Sequence, residues 1–128
     1  MKLSVITICY NDRNGLLKTL ESVKSQSSHD FQYIVIDGAS KDGSADLLTE
    51  YASVIDYSVS ESDKGIYNAM NKGIREAKGE YCLFMNAGDT FYANDTVEKA
   101  LPLLDGTDFL SGDTYCVFPD GKSTVWKA

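Results

Sequence analysis

Positive charge is in short supply in this chain: 12 lysines and arginines stand against 19 aspartates and glutamates over 128 residues, a net charge of -7. That balance argues against a general nucleic-acid binder, which carries a basic excess or stripe, and against docking on anionic lipid through charge. It leaves room for a phosphorylated ligand, because a few local donors hold a diphosphate within an acidic protein. Histidine is nearly absent. His29 lies in the polar turn Ser27-Ser28-His29-Asp30 and reads as a surface residue, so no Ser-His-Asp, Cys-His or zinc-binding pattern has support.

Cysteine is sparse too. Cys9, Cys82 and Cys116 form no CxxC pair, and an odd count fits no closed disulfide framework. Cys9 and Cys82 fall in apolar runs that read as buried strands, so reduced, structural thiols and a cytosolic setting are expected. No apolar run approaches a membrane span, and the first one is too short for the core of a signal peptide. Repeats, low-complexity tracts, a Gly-x-Gly-x-x-Gly fingerprint and a Walker sequence are all missing.

What is present is an alternation of strand-like and helix-like segments. Leu3 to Cys9 is a continuous β-rich run, suited to a strand covered on both faces. Asn11 or Asp12 can cap a helix whose stripe is Leu16, Leu20 and Val23. Phe31 to Ile36 predicts a second strand, followed by a turn-rich loop from Asp37 to Ser44. A short helix with Leu47, Leu48 and Tyr51 inward and a strand at Tyr57 to Val59 come next. Gly65 to Ala77 predicts a helix with Ile66, Met70, Ile74 and Ala77 inward and Gly79 at its stop. Tyr81 to Met85 predicts a fourth strand, Asp95 to Leu104 a helix, and Asp108 to Ala128 short strands joined by Pro119-Asp120-Gly121.

Such alternation implies an α/β fold, a mostly parallel sheet with helices on both faces. Ligands of open sheets bind at the carboxyl ends of the strands. Three of those ends carry polar clusters here: Tyr10-Asn11-Asp12, Asp37-Gly38-Ala39-Ser40 and Asn86-Ala87-Gly88-Asp89. Tyr10 offers a ring on which a base can stack, and Asp37 a carboxylate for a base N–H. Asp89 could hold Mg²⁺ or Mn²⁺ beside a diphosphate. Read singly, each residue is equally a loop cap, a core-edge aromatic or a turn aspartate.

The ordered set resembles family 2 glycosyltransferases of the GT-A fold. Ser4-Val5-Ile6-Thr7-Ile8-Cys9-Tyr10-Asn11 resembles their opening strand. Ile34 to Ser44 resembles their second strand and its loop, usually closer to V-D-D-G-S-x-D-G-[ST]. Lys64 to Gly73 resembles a D-K-G-I-Y-D-A-M-N-K-G helix, and Phe84 to Asp89 falls at a D-x-D-type metal motif. Three departures stand out. Gly38 replaces the second acid of the loop, Asn86 and Gly88 replace acids of the metal motif, and Met70 stands where many members place an arginine.

The resemblance implies one Rossmann-like, GT-A donor-binding domain over residues 1–128, truncated before the acceptor-binding half. It implies inverting transfer of a sugar from a nucleoside-diphosphate sugar, of uridine type, to a hydroxyl of a saccharide or lipid-linked saccharide, in surface polysaccharide assembly. Tyr10, Asn11, Asp37, Lys64, Asn68, Asn71 and Asp89 would line the donor site, and Asp89 would bind Mn²⁺ or Mg²⁺. The general base would lie beyond residue 128, leaving this chain inactive alone; Asp113 reads as structural or acceptor-side rather than as that base. The setting implied is the cytoplasm or the inner face of the membrane, with no nucleic-acid partner. An uncovered sheet edge would permit a homodimer. Two alternatives stay open: a nucleotide-binding module without catalysis, and a nucleotidyltransferase-like enzyme.

Overall fold

A computed structural model describes residues 1–108 and 110–127. Strand β1 (Leu3–Cys9) lies at the centre, hydrogen-bonded in parallel to β2 (Gln32–Asp37) on one side and to β4 (Tyr81–Phe84) on the other. The outer neighbour of β2 is β3 (Tyr57–Ser60), also parallel, giving the order β3-β2-β1-β4. Helices α1 (Arg13–Lys24), α2 (Ser44–Glu50), α3 (Ile66–Glu76) and α4 (Thr96–Ala100) connect or follow these strands.

The continuous apolar runs are buried on both faces. Every residue of β1 and β2 is buried. Leu3, Val5, Cys9, Tyr33 and Val35 meet Leu16, Leu20 and Val23 of α1 and Leu47 and Leu48 of α2. On the opposite face, Ile6, Ile8, Ile34 and Ile36 meet Ala69 and Met70 of α3. Two parallel strands flanked in this way need no polar face, which explains their lack of alternation.

Polar groups within this core are paired. The Thr7 and Tyr33 hydroxyls lie 2.8 Å apart, and burial pushes the Tyr33 phenol well above its ordinary pKa. Ser4 donates to Gln32 at 2.7 Å, and Gln32 bonds the Glu76 carbonyl and the Lys78 N–H at the end of α3. This buried lattice fixes the amino-terminal edge of the sheet, opposite the carboxyl ends where the polar clusters gather.

Several expectations are corrected. The buried residues of α3 are Ala69 and Gly73, while Ile66 and Ile74 are exposed. The helix lies so close to the sheet that a Cβ on Gly73 would stand 2.5 Å from Ile6 Cγ2, so small residues form its inner stripe. Gly79 does not end α3, whose last residue is Glu76, with Ala77 as its cap. It lies against β1 instead, where a Cβ would meet the Ser4 nitrogen at 2.5 Å. Cys82 is exposed because β4 is the outermost strand on its side of the described sheet. The expected helix from Asp95 to Leu104 is α4 followed by a 3-10 turn, Leu101–Leu103, around Pro102, which has no N–H to extend the α-helical ladder.

In the tail, β5 (Thr114–Val117) and β6 (Ser123–Trp126) pair as an antiparallel hairpin. Its turn is closed by Gly121 N–H donating to the Phe118 carbonyl at 2.9 Å. Of the expected tail, Phe109 and Ala128 lie outside the described residues.

Candidate functional site

The carboxyl ends of β1, β2 and β4 open into one cleft of about 680 Å³. Its floor includes Ile8 and Cys9 from β1 and Ala69 from α3. Tyr10 and Asp12 follow β1; Gly38, Ala39 and Lys41 follow β2; Ser62, Asp63, Gly65 and Ile66 lead into α3; Asn86 and Ala87 follow β4. Four chain segments far apart in sequence therefore meet at one rim, as expected for the switch point of a parallel sheet. A floor of apolar side chains under a polar rim suits a flat organic group bearing charged substituents.

The expected residues divide sharply in place. The Tyr10 side chain lines the cleft and is 68% exposed, an open ring face. Asn11 braces two loops: its N–H donates to Ser40 Oγ and its Oδ1 accepts from the Lys41 N–H, each at 2.8 Å. Asp37 is fully buried. Its Oδ1 accepts from Ser40 Oγ at 2.6 Å, and its Oδ2 from the Ser40 N–H at 2.9 Å and Ser60 Oγ at 2.7 Å. Its carboxylate is occupied inside the protein and holds the loop after β2 to β3.

Around α3, the Lys64 N–H donates to Asn68 Oδ1 at 2.9 Å, which spends that amide oxygen on the helix start. Asn71 is exposed on α3 and is not among the lining residues. Lys72 is turned back onto the Ser62 carbonyl at 3.1 Å and Glu61 Oε1 at 3.2 Å. The cation that does line the cleft is Lys41. Sequence reading misses it, as it misses Asp63, because a charged residue in a polar loop carries no periodic signal. Asp12, expected as a possible cap and as part of the cluster after β1, caps α1 through Gly15 N–H at 3.0 Å and lines the cleft as well.

The turn after β4 is tight. The Asp89 N–H donates to the Asn86 carbonyl at 2.9 Å, and Gly88 has φ +100°, a conformation that favours glycine. Asp89 is exposed at the end of this turn, next to the cleft-lining Asn86 and Ala87 but not itself among the lining residues. Asn86 Oδ1 is buried without a hydrogen-bond partner. Asp12 Oδ2 lies 3.9 Å from where a Cβ on Gly88 would stand. These are all oxygen donors, the chemistry of a hard cation. No group of three acidic, histidine or cysteine side chains suited to a metal occurs among the described residues. The donor set thus fits Mg²⁺ or Mn²⁺ only as part of a shell completed by phosphate oxygens and water.

Comparison with known proteins decides the family. The glycosyl transferase family 2 model matches residues 4–127. The chain belongs to glycosyl transferase family 2. It is 40% identical over 105 residues to an uncharacterized glycosyltransferase of Mycobacterium tuberculosis, covering 81% of this chain and 40% of that protein. TuaG of Bacillus subtilis, named for teichuronic acid biosynthesis, is 33% identical over 105 residues, covering 80% of this chain and 41% of its own length. The chain thus spans about 40% of these family 2 relatives.

Among solved structures, S. aureus TarS 1-349 in complex with UDP superposes with a TM-score of 0.72 at 26% identity, over 82% of this chain and 32% of that one. The mannosyltransferase PcManGT of Pyrobaculum calidifontis, in complex with GDP-Man and Mn²⁺, gives 0.73 at 27% identity, over 91% and 35%. The expected GT-A architecture, with its parallel central sheet, is the one these glycosyltransferases share with the chain.

Proposed function

We propose that this chain is the donor-binding domain of an inverting glycosyltransferase that takes a sugar from a nucleoside-diphosphate sugar, of uridine type, to a saccharide or lipid-linked saccharide hydroxyl. The observation that carries the reading is the cleft at the strand ends, lined by the exposed ring of Tyr10 and by Asp12 and Asn86, which offer oxygen donors. Tyr10 stacks on the base, where an amphipathic ring gains most from covering a flat face. Lys41 offers charge to the diphosphate. Asp89 and the unpartnered Asn86 Oδ1 hold a divalent cation beside it. Such a cation stabilises negative charge on the departing nucleoside diphosphate. The base that takes the acceptor proton belongs to the part of the longer relatives that this chain does not cover.

Relatives bound to UDP or to GDP-Man with Mn²⁺, and a relative named for teichuronic acid biosynthesis, support a nucleotide-sugar donor and a role in surface polysaccharide assembly. No helix among the described residues is long and apolar enough to cross a membrane. The reading places the protein in the cytoplasm, at the inner membrane face when the acceptor is lipid-linked. A homodimer would use the outer edge of β4, which has no strand partner among the described residues.

Calorimetric titration of the chain with UDP, GDP, CDP and ADP, with and without Mn²⁺, tests the proposal. Saturable binding strengthened by Mn²⁺, and weakened by Tyr10→Ala, is expected. Absence of binding by every nucleoside diphosphate in both conditions would remove the donor-site assignment.

A further inference from the structure

We propose that Asp63 is the base-recognition residue of the cleft, acting from the segment before α3. It selects bases whose ring edge carries an N–H donor, uracil or guanine, over cytosine and adenine. The inference rests on the donor-site reading above and deepens it.

The first observation is at Gly38. A Cβ there would stand 2.8 Å from Asp63 Oδ2, closer than real Cβ contacts run, and a tight 3.2 Å from Tyr10 Cδ1. Gly38 is not among the residues of positive φ, so its backbone does not demand glycine. A side chain at 38 would instead have to push the Asp63 carboxylate aside, because that carboxylate occupies the volume the side chain would fill. In the loop pattern V-D-D-G-S that this segment resembles, the second acid stands at that position.

The second observation is the state of the other carboxylate at this end of the sheet. Asp37 is buried, and both its oxygens are taken by Ser40 and Ser60. Asp63 is half-exposed and lines the cleft beside Tyr10 and Gly38. Its Oδ1 accepts the Gly65 N–H at 3.1 Å, which fixes the carboxyl plane and leaves Oδ2 on the Gly38 side. Gly38 is itself anchored, its N–H donating to the Cys9 carbonyl at 3.0 Å. A base stacked on Tyr10 therefore has its edge within reach of an oriented acceptor.

An ionised carboxylate only accepts hydrogen bonds. Uracil N3–H and guanine N1–H can donate to it. Cytosine N3 and adenine N1 are themselves acceptors and would face it lone pair to lone pair. An asparagine in the same place keeps an oxygen for Gly65 and presents either an oxygen or an NH₂ to the base, so it discriminates less.

The test is calorimetric titration of UDP, GDP, CDP and ADP into the 128-residue chain with Mn²⁺ present, for the unaltered protein, Asp63→Asn and Gly38→Ala. UDP or GDP is expected to bind the unaltered protein most tightly. Asp63→Asn is expected to weaken that nucleotide by about ten- to a hundredfold, as for loss of a hydrogen bond to a charged group, while CDP gains on it. Gly38→Ala retains the carboxylate but displaces it, and is expected to lose the same preference. Circular dichroism melts of both variants report whether the fold is kept. Unchanged nucleotide ratios in a folded Asp63→Asn would overturn the assignment of Asp63 while leaving the donor site standing. Failure of the unaltered chain to bind any of the four would overturn both.

Discussion

The Thr19 hydroxyl on α1 lies 2.7 Å from the Asp89 carbonyl and receives the Gly88 N–H at 3.0 Å. Thr19 is fully buried, so one hydroxyl in the core of the domain pins the turn that carries the exposed Asp89. Valine has the same shape but takes the hydroxyl donor from the Asp89 carbonyl, while the Gly88 N–H keeps its bond to the Gly15 carbonyl at 3.0 Å. Thr19→Val is expected to destabilise the chain by about 1–3 kcal/mol, the cost of a polar group that loses its hydrogen-bond partner. It is also expected to reduce the Mn²⁺-dependent part of nucleoside-diphosphate binding. Thr19→Ser, which retains the hydroxyl, should lose less stability and keep the Mn²⁺ response. Urea denaturation and calorimetry on the two variants separate these effects.

Ala39 is held at φ +61° in the loop after β2, a left-handed conformation that L-residues other than asparagine rarely adopt. The loop is fixed there by the Asp37–Ser40 bonds and by Asn11, so the strain cannot relax locally. Left-handed backbone costs an alanine about 1–2 kcal/mol, and glycine gives back part of that gain through its freer unfolded chain. Ala39→Gly is therefore expected to stabilise the protein by up to about 1 kcal/mol, and Ala39→Val to destabilise it. Chemical denaturation midpoints check both signs.

The skeleton of the fold is legible in the sequence because burial on two faces leaves a strong mark. Leu3 to Cys9 and Phe31 to Ile36 read as strands for the reason they are strands, and Leu16, Leu20 and Val23 form the inward stripe of α1 as expected. The convergence of Tyr10 with the turn at Asn86 follows from strand order. What the sequence does not disclose is which way a loop side chain points. Asp37 and Asp63 are both acids next to strand ends, yet one is consumed by serine hydroxyls and the other faces the cleft. That difference is made by Ser40 and Ser60, whose partners are set by tertiary contacts. The inward stripe of α3 is hidden for a similar reason. Close approach to Ile6 favours Ala69 and Gly73 over the bulkier Ile66 and Ile74.

The cysteines differ in access, and this gives a chemical check of the fold. Cys9 is buried beneath the cleft, its Sγ 3.7 Å from Ser44 Oγ, and burial raises its pKa. Cys82 is exposed on the outermost strand, and its pKa is also raised by partial burial. Neither is activated as a thiolate, so access decides the order. Limited alkylation with iodoacetamide followed by peptide mass mapping is expected to label Cys82 well before Cys9. Equal labelling in the folded protein would contradict the central position of β1.

Asp42 links the starts of two helices and makes part of the stability acid-sensitive. Its Oδ2 accepts the Arg13 N–H at 2.9 Å, and its Oδ1 accepts the Ser44 hydroxyl at 2.6 Å and the Ser44 N–H at 3.1 Å. The Ser44 hydroxyl, foremost, holds the Asp42 carboxyl below its ordinary value of 3.8 in the folded state. A carboxylate with a depressed folded pKa contributes stability that is fully present above the unfolded pKa. That contribution is lost as pH falls through the folded value. Asp42→Asn is therefore expected to be less stable than the unaltered chain at neutral pH, with the gap closing from about pH 5 downward. Ser44→Ala removes the largest cause of the depression, so the Asp42 carboxyl should titrate at higher pH in that variant. Carboxyl ¹³C chemical shifts followed through an acid titration measure this directly. If Asp42 titrates at the same pH with and without the Ser44 hydroxyl, the link between α1 and α2 does not depend on that hydrogen bond.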